Sequence, residues 1–122
     1  MDLIVTQASG RIPVTVLGIV GRVNLGNVNE MLQKAQSLYQ EGARDLVIDL
    51  AGAESLTSAG LSAIITILRT FESGLPGGGA GKKSTHVKLA NPSGQIRQML
   101  SIAGFNSYLD IYDNLQDAVA SF

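Results

Sequence analysis

The chain has no cysteine, a single histidine, few charges and no long apolar run. The first absence excludes disulfides and thiolate chemistry, and one histidine cannot build a multi-histidine metal site within one chain. Nine Lys and Arg against ten Asp and Glu leave a formal net charge of −1, so no long-range field steers the protein onto nucleic acid or an anionic membrane. Protein and small-molecule partners remain. No stretch approaches the roughly 18 apolar residues that span a bilayer, and MDLIVTQASGR lacks a basic segment followed by an apolar core. The expectation is a soluble cytoplasmic protein without membrane insertion.

What is present is core-forming material. At 122 residues and 45% hydrophobic, the chain suits one domain, 1–122, burying roughly two-thirds of its unfolded surface. Leu3 to Ala8 and Ile12 to Val20 are rich in Val, Ile, Leu and Thr around a Ser9-Gly10 turn, which predicts a hairpin. Asn27 with Glu30 resembles a capping box, and Val28, Met31, Leu32, Ala35 and Leu38 keep helical spacing until Gly42. Leu46, Val47, Ile48 and Leu50 form a nearly continuous apolar run, as expected of a strand covered on both faces. Leu61, Ile64, Ile65 and Leu68 repeat the helical spacing, and five glycines between Gly74 and Gly81 end it. Val87 to Ala90 predicts a strand, with Asn91-Pro92 capping a helix that runs to about Ala103 before Gly104. Tyr108 to Tyr112 predicts a last strand, and Asp113 with Gln116 caps a closing helix. The order is β-β-α-β-α-β-α-β-α, an α/β fold whose mixed sheet carries helices packed against it.

The stretch that points to function is VIDLAGAESLTSAGLSAIITIL, Val47 to Leu68. It reads as strand, turn and helix, with Thr57-Ser58-Ala59-Gly60 at the turn. A serine at such a helix start meets unpaired N–H groups and the positive end of the helix dipole, which favour an added phosphate or a partner's anion. The plainer alternative is that Ser58 only caps the helix. Asn24 likewise reads as a turn residue that tolerates left-handed geometry. Gly60 in a first helical turn is locally unfavourable by up to about 1 kcal/mol against alanine, which implies that a packing neighbour or a partner approaches the backbone there.

VIDL, a turn carrying Ser-x-Gly and an apolar helix together resemble the signature of the STAS family, the anti-sigma factor antagonists. LGIVGRVNL, Leu17 to Leu25, resembles the family's Gly-x-Leu-Asp segment, and IAGFNSYLDIYDNLQDAV its closing elements. The resemblance implies a STAS-like domain that docks on a histidine-kinase-like serine kinase which also sequesters a sigma factor, and that phosphorylation releases it. It places the acceptor at Ser58, with Thr57 second, and partner contacts at Gly21, Val23, Asn24, Leu25, Thr57, Ser58, Ala59, Gly60 and Leu61. Such a domain is expected as a monomer or weak dimer, without cofactor, metal or enzymatic activity of its own. Where the family usually has Asp before the acceptor and Asp before the first helix, this chain has Thr57 and Asn24. Both exchanges lower the repulsion met by an added phosphate, and both equally remove groups that a kinase can use.

Other motifs carry less. GLPGGGAGKKST, which includes the expected flexible loop 74–84, departs from a P-loop because Lys83 separates Gly81-Lys82 from Ser84, and because it leaves a helix to enter a strand. Its mobility would let Lys82 and Lys83 touch an acidic partner. His86 has no second histidine to join it, and Asp45, Asp49, Glu54, Asp110, Asp113 and Asp117 read as caps, strand ends and solvated faces. Asp49 either lies near the Ser58 surface or bonds a neighbouring loop. A second functional class is a constitutive scaffold module of a stressosome-like or transporter-associated complex.

Overall fold

A computed structural model describes residues 1–72 and 83–122. Strands β1 (Asp2–Ser9) and β2 (Pro13–Val23) pair antiparallel in unbroken register from Asp2↔Val20 to Ser9↔Pro13, as the hairpin pattern predicts. Helix α1 (Val28–Gln40) leads to β3 (Leu46–Asp49), then β4 (Ala53–Leu56) and α2 (Ser58–Phe71). Strand β5 (Val87–Ala90), α3 (Gly94–Ile102), a 3₁₀ turn at Phe105–Ser107, β6 (Ile111–Tyr112) and α4 (Leu115–Ala120) complete the fold. The sheet order is β1-β2-β3-β5-β6, with β4 beside β2, and every pairing except β1–β2 is parallel.

Strand alternation sorts the core into two layers. Leu17 and Ile19 of β2, Leu46 and Ile48 of β3, and Val87 and Leu89 of β5 point into one cluster with α1, α2 and α3. Val14, Val16, Val47 and Ala90 point the other way, against Ala118 and Val119 of α4. Three helices therefore cover one face and one short helix the other, each face following from the two-residue period of a strand. On α1 the buried residues are Val28, Met31, Ala35 and Leu38, spaced to form one stripe. Tyr39 of α1 meets Phe71 of α2 edge to face at 5.2 Å.

The strand β4 is absent from the predicted order. AESL is short, with Glu54 exposed, and it is a strand because the distal half of β2 pairs with it. Thr57-Ser58-Ala59-Gly60 is correspondingly an N-cap followed by helix rather than a turn. The cap of α3 is Ser93, whose hydroxyl accepts from Ile96 N, and not Asn91, which adopts φ 57°. The cap of α4 is Asn114 in place of Asp113; it accepts from Asp117 N and donates to the Asp117 carboxylate. Asn27 does precede α1, but its side chain makes no cap bond. The last strand shrinks to two residues because Phe105–Ser107 turns and Tyr108 stays outside it. Of the glycine-rich loop, only Lys83 and Ser84 fall within the described residues.

Candidate functional site

The C-terminal ends of β2 and β4 bring two distant stretches together. The first half of β2 pairs with β3 and the second half with β4, Gly21↔Ala53, Arg22↔Ser55 and Val23↔Leu56, with a bulge between Gly21 and Arg22. The extra residue is Glu54 of β4, and Gly21 beside it adopts φ +99°, a left-handed conformation that costs glycine little. Thr57 N then donates to Val23 O at 3.2 Å, so the residues that follow the two strands, Asn24 and Thr57, begin adjacent segments.

The Asn24 turn is held by its own side chains. Asn24 Oδ1 accepts from Gly26 N at 2.9 Å, Asn27 Oδ1 accepts from Asn24 N at 2.9 Å, and Asn27 Nδ2 donates to Arg22 O at 2.8 Å. Asn24 therefore serves the turn through its side chain and not through the left-handed backbone expected of it, which among the described non-glycine residues only Asn91 adopts, and Asn27 serves this loop in place of its helix. Leu25 projects from the turn and is 80% exposed.

Ser58 is exposed at the first residue of α2. Its N-cap Thr57 is extended at φ −96° and ψ 176°, its hydroxyl makes no cap bond, and the first turn holds no acid. The backbone bond Leu61 N to Thr57 O closes the first turn, which leaves the preceding N–H groups directed outward with the positive end of the dipole. Asn24, Leu25, Thr57, Ser58, Ala59 and Ser62 line one shallow depression with no ionisable side chain in it. Ser62 was not among the expected residues, although its four-residue spacing from Ser58 puts both on one helical face. Val23 is fully buried and Gly60 is buried, so both support this surface from beneath. A Cβ at Gly60 would lie 3.1 Å from Val23 Cγ1 and 3.2 Å from Leu56 Cδ2, which identifies the close neighbour as packing.

The arrangement can present a hydroxyl to another protein's active site. It does not activate that hydroxyl, since no base lines the depression. Among the described residues no three His, Asp or Glu side chains gather as a metal site. Asp49 Oδ1 accepts from Ala51 N at 3.0 Å and Asn91 Nδ2 at 3.1 Å, which ties it to neighbouring loops. His86 Nδ1 lies 3.1 Å from Asp45 Oδ1, and Lys83 pairs with Asp110 at 3.1 Å. The buried Lys88 donates to Ser121 O and Oγ at 3.0 and 2.8 Å beneath the Phe122 ring. Burial lowers its pKa from the ordinary 10.5, against the opposing pull of Asp110 and Asp45.

The sequence profile of the STAS domain matches residues 4–118. Among solved structures, an anti-sigma factor antagonist from Mycobacterium paratuberculosis superposes with a TM-score of 0.78 at 22% identity, over 98% of this chain and 92% of that one. The Bacillus cell fate determinant SpoIIAA in its phosphorylated form gives 0.65 at 14% identity, over 97% of this chain and 96% of that one. Murine Slc26a9, an anion transporter, gives 0.64 at 18% identity over 87% of this chain and 17% of its own. At these identities the likeness is one of fold. No curated protein sequence matches the chain.

Proposed function

Because the chain belongs to the STAS domain family, we propose that it is an anti-sigma factor antagonist that binds a switch-kinase-like anti-sigma factor in the cytoplasm and is regulated by phosphorylation at Ser58. The observation that carries this reading is the exposed Ser58 hydroxyl at the start of α2, beside the Asn24 turn, in a patch without charge. A partner's ATP supplies the phosphoryl group. The added phosphate carries about −1.5 to −2 charges at neutral pH and changes that patch from neutral to strongly anionic. The N-terminus of α2 stabilises such a charge by about 0.3–1 kcal/mol, so the modified fold persists while the partner is repelled. Thr57, also exposed, is the second acceptor.

Incubation with a cognate kinase and ATP, followed by mass spectrometry of wild type and Ser58→Ala, tests the assignment. Phosphate should appear on the wild type and be lost from the variant; phosphate persisting on Ser58→Ala rejects Ser58 as acceptor. A second reading, the non-phosphorylated scaffold module, is favoured by Thr57 and Asn24 standing where a carboxylate is usual, and by the occurrence of this fold within an anion transporter. Large homomeric or mixed assemblies in light scattering would support it.

A further inference from the structure

We infer that β1 is a self-association edge, through which two copies of this chain pair antiparallel about a two-fold axis normal to the sheet. The sheet has three ends among the described residues. Two are short: β6 has two residues, and β4 has four with a shifted register against β2. The third, β1, runs eight residues, about 27 Å at 3.4 Å per residue, and among the described residues pairs only with β2. An open edge of this length is a template for another strand unless proline, lysine, a bulge or inward charge blocks it. DLIVTQAS has none of these, its register with β2 is unbroken, and its single charge, Asp2, stands at the end.

A second copy fits this edge. A two-fold axis normal to the sheet keeps each face of one copy continuous with the same face of the other. On the α4 side, Ile4 is 53% exposed and Val20 37% exposed, an apolar strip that Leu115 of α4 borders without burying and that a partner strand would extend. On the α1 side, Leu3 lies beside Glu30, Gln33, Lys34 and Ser37. One acid and one base there let the two α1 helices face each other with opposite charges paired. One strand-to-strand contact falls at the low end of interface sizes, below about 1,200 Å², so the dimer dissociates on dilution.

The test is sedimentation equilibrium of the whole chain from low micromolar to near millimolar concentration. The mass should rise from 12.8 kDa toward twice that value, and amide exchange in β1 should slow as concentration increases. Ile4→Lys/Thr6→Lys places like charges across the axis and should weaken association about tenfold or more. Both positions are exposed, so an unchanged unfolding midpoint shows that the variant is folded. Ile102→Lys, at a residue 80% exposed on α3, should dimerise like wild type. A wild type that stays monomeric throughout, a folded lysine variant that still dimerises, or equal loss in Ile102→Lys overturns the inference.

Discussion

Replacing Gly60 by alanine isolates the contact that seats the Ser58 turn against β2. The new Cβ would meet Val23 Cγ1 at 3.1 Å, Leu56 Cδ2 at 3.2 Å and Val23 Cβ at 3.6 Å. Val23 and Leu56 are 0% and 4% exposed, so neither side chain can swing into solvent. Alanine gains about 1 kcal/mol over glycine in a helix, while overfilling a packed core costs about 1–3 kcal/mol. The net expectation is a loss between nothing and about 2 kcal/mol. Gly94, at the start of α3, supplies the reference, because a Cβ there has open space around it. Gly94→Ala should gain about 0.4–1 kcal/mol through the unfolded state alone. Urea unfolding at a common slope measures both, and the difference between the variants is the packing cost. If Gly60→Ala stabilises the protein as much as Gly94→Ala does, Val23 and Leu56 yield freely and the claim of a tight seat is wrong.

Lys88 and Glu72 allow two further measurements. With its folded pKa lowered from 10.5 by burial, Lys88 loses its proton in the native state before an unfolded lysine does, and the unfolded chain then binds more protons. Wild-type stability should therefore rise relative to Lys88→Met as pH climbs toward 10.5, and a constant difference between the two proteins would remove the burial account. Glu72 Oε1 accepts from Ser84 Oγ, from Thr85 N at 3.1 Å and from His86 N at 3.3 Å. Glu72→Ala leaves the buried Ser84 hydroxyl without its acceptor and should cost about 1–3 kcal/mol. Glu72→Gln keeps an acceptor oxygen and should cost less in the same urea experiment; equal costs would show that charge, not acceptance, matters there.

Elements whose identity is local were legible from the amino acids. The apolar run Leu46 to Ile48 is a strand buried on both faces, and the α1 stripe from Val28 to Leu38 follows its spacing. What escaped depends on tertiary partners. AESL holds two polar residues in four and becomes β4 only because the distal half of β2 pairs with it, with Glu54 left over between Ala53 and Ser55. Asn91 and Ser93 are both good capping residues, and the choice falls to Ser93 because Asn91 turns left-handed and donates to Asp49. Lys88 sits inside a strand that otherwise looks apolar, accommodated by Ser121 and Phe122 far along the chain. At the candidate site Ser58 and Leu25 are surface residues in keeping with their motifs. The burial of Val23 and Gly60 was hidden, because the predicted strand stops at Val20 whereas β2 runs on to Val23 in phase with Leu17 and Ile19, and Gly60 is covered only by Val23 and Leu56.

The Glu72 carboxylate bonds to residues 84, 85 and 86 from the end of α2, so a single side chain ties that helix end to the residues that lead into β5. One carboxylate is thereby a latch that holds the exit of α2 against the entry to β5.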